Sequence, residues 1–362
     1  MTPVKRPATP ELLTAPKVVL HDHLDGGLRP STLLELAGDT TGADPGDLAD
    51  RLHADAACGS LAGYLGQFHH TVDVMQTVHA LRTVAHEAVV DLAADGVVHA
   101  EIRFAPALHT RGGLTAAQAI DAVAAGLATA ERRTGVTAGL IVCSLRGDEA
   151  ATEIAHAATG ALGVVAFDVA GDEDIPLSPA DRAATRMALE AGLGLTIHAG
   201  ETGSVDSIAR ALELGASRIG HGIRLVDDIT ETASGYRLGP VAARAHRQRT
   251  TLEVCPSSNL HTGAVAGIDG HPAVLLRKLG FNVTINTDNR LFSATSMTHE
   301  MSLAAGAWGW TPATLADVQA DAASAVFGPP AFRAGLVARV RQWWNASGRP
   351  RPPGTLRALD RS

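Results

Sequence analysis

Short apolar runs rich in β-branched residues alternate along this chain with longer Ala- and Leu-rich stretches whose apolar positions recur at helical spacing. The short runs fall at residues 18–23, 99–104, 139–144, 164–169, 193–198, 218–220, 251–255 and 282–286, and each reads as a buried strand. Residues 80–94, 116–132, 179–190, 207–214, 238–248 and 272–279 read as amphipathic helices. Such alternation implies parallel strands joined by right-handed crossovers. Eight strands of this kind predict a (β/α)8 barrel, with a doubly wound open sheet as the competing arrangement. The barrel is preferred because polar residues sit at the C-terminal ends of several separate strands, where barrels place their sites. An open sheet would gather them at one switch point.

The connection after the first strand is long. Residues 30–70 carry their own helical pattern, with Leu61, Tyr64 and Phe68 at i, i+3 and i+7. That stripe reads either as a lid insertion that excludes water from the site or as an ordinary helix packed on the barrel. One catalytic domain is expected over residues 1–345. The Pro-, Gly- and Arg-rich residues 346–362 read as a disordered tail.

The chemistry starts where the first strand runs out, in Lys17-Val-Val-Leu-His-Asp-His-Leu-Asp-Gly-Gly27. Residues i and i+2 of a strand share a face, so His21 and His23 aim two imidazoles at one point. In a chain with 16 His the spacing alone means little, but later strand ends supply what is missing. The fifth strand ends in Ile197-His-Ala-Gly-Glu201, the sixth in Ile219-Gly-His-Gly222 and the eighth in Asn286-Thr-Asp-Asn289. Together they bring His198, Glu201, His221 and Asp288 to the same rim. His198 completes a three-imidazole face with His21 and His23, and these with the Asp288 carboxylate suit one Zn²⁺ per chain with an open position.

Composition narrows the class. With 46% hydrophobic and 19% charged residues the chain has the make-up of a globular protein. Its net charge of −8 argues against nucleic acid as a partner. Cys58, Cys143 and Cys255 are too far apart to form a Cys-x-x-Cys site, and Cys255 reads as a buried thiol. Residues 1–16 lack the apolar core of a signal peptide, and no run approaches the ~20 apolar residues of a membrane helix. A cytoplasmic protein acting on a small molecule, with no membrane partner, is expected. Gly-x-Gly-x-x-Gly, Walker and Gly-x-Ser-x-Gly patterns are absent from the sequence.

The segments PKVVLHDHLDGG, DLAADGVVHAEIRFAP, VVAFDVAGDE, IHAGE, RIGHGIRL, LEVCPSSN and NTDN, in this order, resemble the adenosine deaminase family. The resemblance implies a (β/α)8 barrel with one zinc on the positions matched by His21, His23, His198 and Asp288. It gives Glu201 the proton shuttle and His221 the activation of the attacking water. It places Asp25 and Gly171 against the ribose and purine, and likens residues 60–68 to a hydrophobic lid. The substrate implied is adenosine or 2′-deoxyadenosine, deaminated hydrolytically to the inosine counterpart. Many family members carry Asp-Pro after the metal-binding Asp, where this chain has Asn289-Arg290. A carboxyl there must be protonated to donate to purine N7, whereas the Asn289 amide donates without a proton. Arg290 is expected to leave the rim wider and more positive. The nearest alternative is a deaminase of a modified adenine nucleoside such as aminodeoxyfutalosine. Asp25, where many such relatives have Glu, leans toward the ordinary nucleoside. Another metal hydrolase on the same barrel would call for a bridging Lys, and none falls at a predicted strand tip.

Overall fold

The computed structural model describes residues 9–39 and 42–346. Eight strands form its inner layer: β1 Lys17–His23, β2 Val97–Phe104, β3 Thr137–Leu145, β4 Val164–Ala170, β5 Gly194–Ala199, β6 Arg218–His221, β7 Thr251–Val254 and β8 Asn282–Ile285. They lie side by side in chain order and all seven ladders between them are parallel. β1 meets the end of β8 through a parallel bridge between Asp22 and Asp288. There the His23 amide donates to the Asp288 carbonyl at 2.7 Å and the Asp288 amide to the His21 carbonyl at 2.9 Å. The seam brings the ring round on itself, so the barrel reading holds and the open sheet does not.

Every residue of β2, β6 and β7 is buried, as expected of parallel strands covered on both faces. The barrel interior also holds charge. Arg103 reaches Asp168 Oδ2 and Glu253 Oε2, both at 2.8 Å, and Arg218 reaches Glu253 Oε1 at 2.5 Å and pairs with Glu101. All five side chains are essentially inaccessible to water. Buried charges on this scale persist only when each has a partner.

The outer helices start where short polar residues cap them. Thr115 and Gln118 form a reciprocal capping box on Ala116–Thr134, and Ser178 and Asp181 another on Pro179–Glu190. Ser204 caps Val205–Glu213, which begins two residues before the pattern predicted. After β1 come four short helices, Pro30–Leu36, Pro45–Ala56, Leu61–Gly66 and His69–Val72. After β6, a 3-10 turn leads into a small hairpin of Ile229–Thr232 and Gly235–Leu238, too brief to leave a readable pattern. The last helix, Pro330–Ala346, takes in the first residue of the expected tail; residues 347–362 lie outside the described residues. Among the described residues, no helix is long and apolar enough to cross a membrane.

Candidate active site

The C-terminal ends of β1, β5 and β8 bring four donor groups together. One ligand atom from each of His21, His23, His198 and Asp288 lies within 4.8 Å of all the others. Nε2 of His23 faces Nε2 of His198 at 3.2 Å, and Asp288 Oδ1 lies 3.2 Å from His21 Nε2 and 3.4 Å from His23 Nε2. Two ring nitrogens pointed at each other need a cation or a proton between them. Nε2 of His21 is buried without a hydrogen-bond partner, as a nitrogen reserved for a metal would be. Three nitrogens and one oxygen at this spacing fit a zinc ion.

The far sides of these donor groups are held as those of metal ligands usually are. Glu253 Oε2 accepts from His21 Nδ1 at 2.9 Å, and Asp168 Oδ2 lies 3.0 Å from His198 Nδ1. Ser258 Oγ donates to Asp288 Oδ2 at 2.6 Å. With Nδ1 fixed as the donor, each imidazole turns its Nε2 inward. Burial alone would raise the Asp288 carboxyl, but the adjoining His21 imidazole and the other imidazoles around it hold it well below the usual range. Burial pushes the His23 imidazole well below its usual value, favouring the neutral form that binds metal.

Beside this cluster stand Glu201 and His221. Burial, aided by the Asp288 charge, pushes the Glu201 carboxyl up to about 8, and burial takes the His221 imidazole down to about 4. In the metal-free site these shifts favour a protonated Glu201 and a neutral His221 at pH 7. Thr262 Oγ1 donates to Glu201 Oε1 at 3.0 Å, while Oε2 lies 3.5 Å from His221 Nε2. The turn carrying Glu201 is anchored by Glu173, which accepts from the amides of Gly200 at 2.6 Å and Glu201 at 2.7 Å. His221 (φ 62°) and Asp288 (φ 57°) both adopt the left-handed conformation. Non-glycine residues are held there only where surrounding contacts over-determine them, and such sites cluster at functional centres.

A cavity of about 560 Å³ opens above these groups. Asp25, Gly171, Asn289, Leu61, Tyr64 and Phe68 all line it, as do His23, His198, Glu201, His221 and Asp288. Of the metal donors, His21 sits beneath, fully buried. Tyr64 is fixed by a 2.8 Å hydrogen bond to Ser293, and Phe68 packs on Phe292 with ring centroids 5.0 Å apart.

The pair Gly26-Gly27 explains how Asn289 and Arg290 fit. A Cβ on Gly26 would stand 1.8 Å from Asn289 Oδ1, and one on Gly27 would stand 2.6 Å from Arg290 Nη2. The glycines are needed because these side chains occupy the space a Cβ would take. Arg290 does not widen the rim or make it more positive: its Nε donates to the buried Asp22 carboxylate at 2.8 Å. Its charge is spent inside the wall. Cys255 is buried, as expected of a structural thiol.

Several residues that hold the site carry no spacing signature of their own. Asp168, Glu173, Glu253, Ser258 and Asn259 lie within the segments VVAFDVAGDE and LEVCPSSN, which marked their neighbourhoods but not their tasks. Thr262 lies three residues beyond, with no mark at all.

Residues 16–343 match the family model described as adenosine deaminase. An adenosine deaminase of Mycobacterium sp. (strain KMS) is 45% identical over 337 residues, which cover 89% of this chain and 93% of the relative. Among solved structures, the adenine deaminase of Arthrobacter aurescens superposes with a TM-score of 0.82 at 27% identity, covering 91% of this chain and 99% of that one. An amidohydrolase from Burkholderia ambifaria with bound zinc has the same fold, with a TM-score of 0.82 at 23% identity over 96% of each chain. The match spans every strand that carries a site residue, and this chain belongs to the adenosine deaminase family.

Proposed function

We propose that this protein hydrolytically deaminates adenosine and 2′-deoxyadenosine, giving inosine or 2′-deoxyinosine and ammonia, with one zinc on His21, His23, His198 and Asp288. The observation that carries the reading is a buried carboxyl, Glu201, pushed up by burial and the Asp288 charge, on the wall of a nucleoside-sized cavity beside four converging metal donors. A bound zinc lowers the pKa of a coordinated water from ~15.7 to about 7 and so makes hydroxide available at neutral pH.

The remaining chemistry belongs to the chain. Addition at C6 gives up the aromaticity of the six-membered ring and pushes an electron pair onto N1, so it is resisted unless N1 takes up a proton, and Glu201 in its acid form can give one. His221 is neutral, and the Asn259 side-chain nitrogen donates to its Nδ1 at 3.0 Å, which places the ring hydrogen on Nε2. That Nε2–H points toward the Glu201 side of the site, where it can hold the attacking oxygen and stabilise charge on it as C6 becomes tetrahedral. Glu201, left as a carboxylate, can accept a proton from the adding oxygen and pass it to the amino group as ammonia leaves.

Substrate placement rests on the walls. Asp25 Oδ1 is buried without a partner and stands ready to accept from a sugar hydroxyl. Gly171 (φ 97°) keeps its backbone at the cavity surface in a conformation that suits only glycine, which supports close approach of the purine edge. The Asn289 amide serves N7, and Leu61, Tyr64 and Phe68 act as the lid that keeps bulk water out.

The test is the ultraviolet change on converting adenosine to inosine by purified protein, with metal intact, after chelation and after zinc is returned. Turnover that chelation abolishes and zinc restores supports the reading. No turnover of adenosine or 2′-deoxyadenosine by folded, zinc-loaded protein overturns it.

A further inference from the structure

Asp22 stands between His21 and His23, and its side chain leaves β1 on the opposite face. It is fully buried. Its Oδ2 accepts from Thr287 Oγ1 at 2.7 Å and from Arg290 Nε at 2.8 Å. These two donors flank Asp288 and Asn289 in the sequence. One carboxylate oxygen of β1 therefore grips both ends of the four-residue segment that carries a metal donor and a cavity-lining amide. Within the grip, Asp288 sits at φ 57°, a conformation a non-glycine residue keeps only under constraint.

Backbone bonds supply part of that constraint, since the seam between β1 and Asp288 has one amide donating in each direction. They fix where the Asp288 backbone lies, and the Leu291 amide, donating to the Gly26 carbonyl at 2.9 Å, ties the chain beyond it. Thr287 and Arg290 add the side-chain ties at the entry and the exit. Asp91, 3.9 Å from Arg290 Nη1, adds a weaker, half-buried outer anchor. Deeper in the wall, Gly27 leaves the space through which the Arg290 guanidinium passes.

We propose that Asp22 is a positioning residue: with Thr287 and Arg290 it ties the strand that offers His21 and His23 to the loop that offers Asp288, so that one contact sets donors from both. The ligand role of Asp288 rests on the zinc reading above; the grip itself is a property of the polypeptide.

The experiment measures two things on each variant: amide hydrogen exchange across residues 286–293 in metal-free protein, and zinc affinity by competition with a chelator. Thr287→Val keeps the side-chain shape and removes one arm of the grip. It is expected to speed exchange in that segment about fivefold and weaken zinc binding about tenfold. Exchange across β3 and β4 should stay as in the unsubstituted protein. Asp22→Asn alone strands the Arg290 charge and can unfold the chain, so it is made with Arg290→Met, and the pair is expected to match Thr287→Val in both readouts. Unchanged exchange in both folded variants overturns the grip. Faster exchange with unchanged zinc affinity overturns the positioning of the ligand. If the unsubstituted protein takes up no zinc while exchange still responds to Thr287→Val, the grip is upheld and the zinc reading falls.

Discussion

The side-chain nitrogen of Asn259 lies 3.0 Å from His221 Nδ1 and 3.4 Å from Glu201 Oε1, so a single amide contacts both groups proposed to handle protons. An NH₂ group has two hydrogens and can serve both acceptors. Asn259→Ala frees the His221 ring to change tautomer and removes a donor from Glu201. The expected result is a fall in kcat of about 10–100-fold, with KM for adenosine much less affected. Asn259→Asp should move the alkaline limb to higher pH and so cost less at pH 9 than at pH 7 relative to the unsubstituted protein, because a second carboxylate beside Glu201 raises its pKa further and keeps it protonated. Steady-state kinetics of the two variants at pH 7 and pH 9 distinguish these effects.

The raised Glu201 carboxyl has a sign that can be checked. Its ordinary value is 4.5, and burial and the Asp288 charge carry it to about 8 in the metal-free site. As an acid, it is active while protonated, so kcat/KM should fall along an alkaline limb. A bound cation offsets the Asp288 charge, which puts the limb of the zinc enzyme at or below about 8. Glu201→Gln should lose about 10²–10⁴-fold in kcat and lose the Glu201-dependent limb with it. Stability carries the same information. The folded state binds this proton more tightly than the unfolded state, so the contribution is full below 4.5 and is lost as pH rises through about 8. The melting temperature of metal-free protein, compared with that of Glu201→Gln at pH 5 and pH 9, should therefore drop relative to the variant as pH rises.

Glu253 joins the proposed metal site to the barrel interior. One of its oxygens accepts from His21 and lies 2.8 Å from Arg103, while the other lies 2.5 Å from Arg218. The two guanidiniums hold this carboxylate well below the usual range against the opposing effect of burial. Glu253→Gln leaves two buried cations short of a counter-charge and is expected to cost about 3–5 kcal/mol of stability, read by urea unfolding. Zinc affinity should fall as well, because the amide holds the His21 ring less firmly. A stable variant with normal metal binding would remove Glu253 from both roles.

What the sequence made legible follows from how local each signal is. His21 and His23 could be paired because strand periodicity alone puts them on one face, and strand order then brought His198, His221 and Asp288 to the same rim. The interior network of Arg103, Glu101, Asp168, Arg218 and Glu253 left no such trace. Its members sit in apolar runs, and a charge inside a buried strand reads as an interruption until its partners are known. Arg290 misled for the same reason: its position on the rim loop was correct, but the buried Asp22 carboxylate that turns it inward is 268 residues away in sequence. Asn259 and Thr262 act through tertiary contacts with Glu201, which no spacing rule encodes.

Phe68 decides between the two readings of the helices after β1. Its ring is half-buried, packs 5.0 Å from Phe292 and 6.5 Å from His23, and lines the cavity. If this segment covers the substrate, Phe68→Ala lets water reach the purine and removes apolar contact with it. The expected change is a rise in KM for adenosine of about tenfold, equivalent to about 1.4 kcal/mol of lost contact. Leu61→Ala, also half-buried at the cavity wall, should show the same effect more weakly, whereas Tyr64→Phe should act chiefly through the lost hydrogen bond to Ser293. If the segment is only a helix packed on the barrel, Phe68→Ala should lower the melting temperature and leave KM unchanged. Measuring KM and melting temperature on the same preparation separates the two, because a lid contact appears in the first and a packing contact in the second.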